Sequence, residues 1–239
     1  MPSDRHSERP GLGGPVQLGR VSTVEAVVLA LREHIFDGHL PMGHVLREVS
    51  LCAEFGVSRH SMRVALSTLG HEGLVHHEPN RGMFVRTLSP AEIQDCYRMR
   101  TLLELEAVKK VCGDRGALAP ARTAVEDMLD VSPGRHWTEI RDADLAFHAA
   151  IVNALGSSHM SRAYQALLVE LRLCFLIEGF EDKDRRRLAQ VHLALLEALE
   201  AGHLARATRL FSDHLASSED DALRALEQQP AQAGGTGSR

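Results

Sequence analysis

Long apolar runs are missing from this chain of 239 residues. No stretch approaches the ~18 consecutive apolar residues of a helical membrane span, so a protein built from such spans is excluded. The opening MPSDRHSERPGLGGPVQLG lacks an apolar core, so residues 1–20 read as a disordered leader and not as a signal peptide. Paired cysteines are missing too: Cys52, Cys96, Cys112 and Cys174 are scattered with no CxxC, as expected of reduced thiols in a cytoplasmic protein and not of a disulfide framework. Aromatic residues are only 4%, and the abundance of Ala, Leu, Glu and Arg makes the composition helical. A basic excess is also lacking. Residues 1–88 hold nine Arg and no Lys against nine Asp and Glu, and residues 89–239 hold 18 Lys and Arg against 23 Asp and Glu. Bulk charge therefore announces no nucleic-acid partner, and any such contact must rest on a few placed arginines.

What is present divides at about residue 88. Ser22-Thr23-Val24-Glu25 has capping-box spacing, and Val24, Val27, Val28, Leu31 and Ile35 follow on one helical face, stopped at Gly38. After a turn at residues 39–43, Glu48 to Phe55 reads as a short helix. Gly56 supplies a left-handed corner, and Ser58 caps a further helix from Arg59 to about Glu72. LVHHE and MFVR flank Pro79-Asn80-Arg81-Gly82 and predict a β-hairpin. Three helices with a glycine corner and a terminal hairpin describe a winged helix-turn-helix over residues 21–88. In that motif the residues opening the second helix of the pair face the major groove: Ser58, Arg59, His60 and Arg63. A guanidinium fork suits guanine or phosphate, and Arg81 and Gly82 at the hairpin tip would meet the adjacent minor groove or its phosphates.

Residues 89–227 show no strand pattern. Ser89-Pro90-Ala91-Glu92 opens the first of six helices, near 90–113, 117–130, 138–155, 158–178, 183–201 and 204–227, with breakers at Gly113, Gly116, Pro133-Gly134, Gly156, Gly179 and Gly202. The fold class is mainly α, with the hairpin as its only strands and an antiparallel helical bundle as its larger part. Residues 228–239 read as a disordered tail.

Four polar residues interrupt the apolar faces of that bundle. Asp144 and His148 sit one turn apart on the stripe of Ile140, Phe147, Ile151 and Leu155. His192 borders Leu188, Val191, Leu195 and Leu199, and His214 extends the face of Leu204, Ala207, Leu210 and Phe211. A lone inward histidine is commonly a hydrogen-bonded core residue. A buried carboxylate with three imidazoles is better satisfied by one divalent cation, zinc first, with nickel, copper, cobalt, iron or manganese also compatible. Arg100 also points inward among Ile93, Cys96, Tyr97, Ala107 and Val111; its carboxylate is either Glu104, one turn on, or an anionic ligand.

The segments FDGHLPMGHVL, EFGVSRHSMRVALSTLGHEGLV and NRGMFV, followed by YRMRTLLELEA, DLAFHAAI, QVHLALLEALEAGHLARA and FSDHL, resemble GntR-family transcriptional regulators. The likeness is to the FadR subfamily with an FCD-type ligand-binding domain, and it covers about residues 22–226. The resemblance implies a non-enzymatic, DNA-binding repressor acting as a homodimer on a palindromic operator. It makes Ser58, Arg59, Arg63 and Gly82 operator contacts and Asp144, His148, His192 and His214 metal ligands. It gives Arg100 to a small carboxylate effector. The chain departs from the family at Val49, where an arginine is usual, and at His60-Ser61 and Val64, which bears on the operator sequence. Two other readings use the same residues: a structural metal with no effector, and a metal-dependent enzyme in a helical bundle.

Overall fold

The structure, a computed structural model, describes residues 22–130, 137–178 and 184–228. The expected leader, the breakers Pro133-Gly134 and Gly179, and residues 229–239 of the expected tail lie outside the described residues, whereas Gln228 closes the last helix.

Helix α1 (Thr23–Phe36) starts at Ser22, whose hydroxyl accepts from the Glu25 N–H while the Glu25 carboxylate accepts from the Ser22 N–H. It buries Val27, Val28, Leu31 and Ile35 against α3. Helices α2 (Glu48–Phe55) and α3 (Arg59–His71) meet at Gly56, which adopts φ 63° and ψ 33°, a conformation that a side chain would strain. α3 turns Met62, Ala65, Leu66 and Leu69 inward. Strands β2 (Val75–Glu78) and β3 (Gly82–Val85) form the expected hairpin. A third strand, β1 (Val45–Leu46), pairs antiparallel with β3 and makes the sheet order β1-β3-β2. The hairpin reading missed it because two residues are too short to show alternation.

Six further helices follow: α4 (Pro90–Val111), α5 (Ala119–Leu129), α6 (Trp137–Asn153), α7 (Ser158–Glu178), α8 (Asp184–Glu200) and α9 (Leu204–Gln228). α4 is central and packs on α6, α7 and α9, while α5 lies against α6 and α8. A second capping box opens α4, with Ser89 and Glu92 exchanging bonds. Arg86, just past the sheet, donates to Glu92 on α4 at 2.9 Å and to Glu170 on α7 at 3.0 Å. The Arg172 guanidinium lies 5.0 Å from the Phe36 ring centre, so α7 touches the end of α1 as well.

Candidate metal centre and nucleic-acid interface

Asp144 and His148 reach the bundle interior from α6, His192 from α8 and His214 from α9, with one ligand atom of each lying within 4.8 Å of the others. Asp144, His148 and His192 are buried and His214 is partly so. Neighbouring groups fix the proton positions. His148 Nδ1 is 2.6 Å from Glu104 Oε2, and His192 Nδ1 is 2.8 Å from the carbonyl oxygen of Leu188. Neither a carboxylate nor a carbonyl can donate, so both Nδ1 atoms carry a hydrogen, and it is Nε2 of each ring that, in the neutral imidazole, could ligate a metal. Those two Nε2 atoms are only 3.1 Å apart. His214 Nε2 is 3.2 Å from that of His148, and Asp144 Oδ1 is 2.8 Å from that of His192. The donor atoms of all four residues thus converge on one point. Donors held ~2.1 Å from a shared ion lie about 3 Å from one another, so the four residues are a donor set that could hold a divalent metal. The ion would supply Lewis acidity at this point of the bundle interior.

Charge around the cluster is tuned by burial and partners. Burial opposes ionisation of Glu104. The adjacent His148 and Arg100, with hydrogen bonds from His148 and Tyr164, outweigh it and hold the carboxyl at about 2. Burial also opposes the charge on Asp144, yet His192 beside it keeps that carboxyl well below the usual range. Burial pushes His148 down, and it pushes His214 well down with help from its imidazole neighbours.

Arg100 settles between its two expected partners in an informative way. Its Nε donates to Glu104 Oε1 at 2.8 Å, the same oxygen that accepts from Tyr164 at 2.6 Å, while its Nη2 is buried without a partner. A second orphan is Asp144 Oδ2. Both residues line a cavity of about 470 Å³ whose wall also includes His214, Phe175 and Glu178. Burial, with Asp221 and Asp144 nearby, raises Glu178 to about 8. Sequence reasoning overlooked Glu178 altogether, and saw Glu104 only as a partner of Arg100.

On the first three helices, Ser58 accepts from the Ser61 N–H at 3.1 Å and caps α3. Arg59, His60 and Arg63 are exposed on the first turns of that helix. Arg63 is held by Glu48 of α2 at 2.9 Å, a partner that the sequence reading did not assign. At the hairpin tip Arg81 pairs with Glu78 and covers the Phe84 ring. Asn80 takes φ 63° and Gly82 φ 104°, so the turn itself needs a residue that tolerates left-handed backbone.

A three-helix winged head joined to an all-helical bundle with a polar centre is the architecture of a DNA-binding regulator. The comparisons agree. The family model for bacterial regulatory proteins of the gntR family matches residues 23–85, and that for the FCD domain matches residues 95–217. The chain belongs to the GntR family of bacterial regulatory proteins, carries an FCD domain and is a DNA-binding transcriptional regulator. A transcriptional regulator of GntR type from Rhodococcus sp. RHA1 superposes with a TM-score of 0.76 at 28% identity, over 84% of this chain and 98% of that one. The HTH-type transcriptional regulator BphR of Paraburkholderia xenovorans is 28% identical, covering 85% of this chain and 87% of the relative. A relative named "Probable D-xylose utilization operon transcriptional repressor", from Paenarthrobacter nicotinovorans, is 28% identical over 77% of this chain and 81% of its own length. These relatives are regulators and not enzymes. No helix among the described residues is long and apolar enough to cross a membrane.

Proposed function

We propose that the chain is a cytoplasmic repressor, a homodimer on a palindromic operator, released or retained according to a small carboxylate bound beside a divalent metal. Residues 21–88 bind DNA in this reading, through Ser58, Arg59, His60, Arg63, Arg81 and Gly82, and residues 89–227 sense the effector. Zinc is the leading candidate for Asp144, His148, His192 and His214, and the donor set also admits nickel, manganese, cobalt and iron.

One observation carries the effector reading. The free arm of Arg100, Asp144 Oδ2 and the partly exposed His214 face a single cavity. A carboxylate entering there would pair with the guanidinium arm and lie beside the metal-ligand candidates Asp144 and His214. Its own charge would answer the one that burial has stripped of water.

Transmission has a physical route. Phe175 of α7 lines both this cavity and the cleft against Glu33 and Phe36 of α1 and Asp37 just past its end, and α7 also carries Glu170 and Arg172. A ligand that prefers one setting of α7 shifts the population of head positions, and half-sites fixed one helical turn apart on DNA reward only one of them. Coupling of ~1–3 kcal/mol would change operator affinity roughly five- to 150-fold.

The test is a thermal-shift series on metal-stripped protein, first with divalent metals and then with mono-, di- and tricarboxylates. Ligand at a hundred times its Kd should stabilise by about 2.7 kcal/mol. A metal shift followed by a further, metal-dependent carboxylate shift supports the sensor. A metal shift alone across the panel supports a structural ion. No metal shift overturns the centre.

A further inference from the structure

The outer face of α4 is open. Leu102 is 68% exposed and Met99 40%, on a helix whose opposite face buries Arg100 and Glu104. At 100° per residue, Asp95, Arg98, Met99, Leu102, Leu105, Glu106 and Lys109 share one stripe about 120° wide. Two large apolar side chains at the middle of an exposed helical stripe need a cover.

The charges on the stripe say what the cover is. Leu102 is its midpoint, and residues equidistant from Leu102 have opposite signs: Asp95 mirrors Lys109, and Arg98 mirrors Glu106. Met99 mirrors Leu105. Among the described residues of one chain these charges form exposed neighbour pairs, Arg98 with Asp95 and Lys109 with Glu106, each at 3.1 Å. A second α4 laid antiparallel across a two-fold axis at Leu102 would set each charge at the level of its opposite, with Met99, Leu102 and Leu105 of both copies between. A parallel copy would set every charge beside its like. Isologous contacts need this kind of self-complementarity, and an arbitrary surface has no reason to show it.

We infer that the outer face of α4 is the homodimer interface, with Leu102 on the two-fold axis, Asp95 facing Lys109 of the second copy and Arg98 facing Glu106. The inference rests on the homodimer proposed above and names its surface. It also places the symmetry axis on the back of the helix that holds Arg100. Effector contact on one face of α4 and subunit contact on the other would then act on the same rigid rod, which is how one small ligand could reset two heads together.

The experiment splits the charges between two variants of the full chain. Asp95→Lys with Glu106→Lys makes the stripe wholly positive, and Arg98→Glu with Lys109→Glu makes it wholly negative. Molar mass is measured by light scattering on each and on an equimolar mixture, with helicity followed by circular dichroism. The wild type is expected at twice the 26.3 kDa chain mass. Each variant alone should dissociate with a Kd raised more than about tenfold, and the mixture should recover the dimer. As a second readout, Leu102→Cys should give a disulfide-linked dimer on oxidation that the wild type does not give. Dimers of both separate variants at wild-type affinity would overturn the α4 face while leaving the homodimer intact. A monomeric wild type would overturn the homodimer and the face together. Folded variants that stay monomeric when mixed would also overturn it.

Discussion

Glu104 Oε2 lies 2.6 Å from His148 Nδ1 while Oε1 of the same carboxylate accepts from Arg100 and Tyr164. One buried side chain therefore orients an imidazole of the candidate metal centre and the guanidinium of the candidate anion site. Replacing it removes both supports at once. Glu104→Gln should weaken zinc binding about ten- to hundredfold, the usual effect of losing such an outer partner. Titration against a competing zinc chelator measures it, with circular dichroism to confirm the fold.

Arg100→Lys should separate the two functions. Lysine keeps a positive charge near Glu104 but has no second fork arm to offer the cavity. The thermal shift with metal should persist. Affinity for the responding carboxylate should fall by about 1.5–3 kcal/mol, roughly ten- to 150-fold. Equal binding by the variant would assign Arg100 to structure alone.

Glu178 should make stability fall as pH rises. Its folded carboxyl sits at about 8 against an ordinary value of 4.5, so between those values the folded chain holds a proton that the unfolded chain has released. The slope of unfolding free energy with pH is negative across that window. Glu178→Gln should remove this component, and the Tm of the variant relative to wild type should be higher at pH 8 than at pH 5. An unchanged difference between the two pH values would show that Glu178 titrates normally.

Arg59 and Arg81 should fail differently on DNA. Arg59→Ala should cost about 1–3 kcal/mol of operator affinity and relax preference at one base position if its fork reads an edge. Arg81→Ala should weaken binding to all sequences and lower the salt slope by about one, as loss of a phosphate contact does. Fluorescence anisotropy on operator and scrambled duplexes over a salt series distinguishes the two.

Glu170→Ala should loosen the tie between α7 and Arg86. Operator affinity without effector and carboxylate affinity without DNA should each stay within about threefold, and the change in one produced by the other should shrink. Anisotropy with and without the carboxylate reads that coupling.

The helices were legible because each announces itself locally. Ser22 with Glu25 and Ser89 with Glu92 mark two starts, Gly56 marks the corner, and a 3.6-residue period puts Asp144 and His148 on a buried stripe. The two-residue strand Val45–Leu46 had no such signal, since it exists only through its pairing with β3. The same holds for contacts made across the chain. Glu104 meets His148 from 44 residues away, and Glu48 meets Arg63 from the preceding helix. Spacing shows which face a side chain takes but not which element that face will meet. Glu178 was invisible for a related reason: a glutamate near a helix end is ordinarily solvated, and only the packing around it removes the water.

Helix α4 begins at the capped junction with the sheet, turns Arg100 and Glu104 inward and carries Leu102 on its back. These positions are fixed by angle as much as by distance. Inserting one residue before Arg100 would rotate everything beyond it by about 100° relative to Ile93 and Cys96. The buried guanidinium would swing toward water, and a surface residue would enter the polar centre. Chain length in this helix should therefore be as constrained as the identity of any side chain it bears, since one register serves both the polar centre and the outer stripe around Leu102.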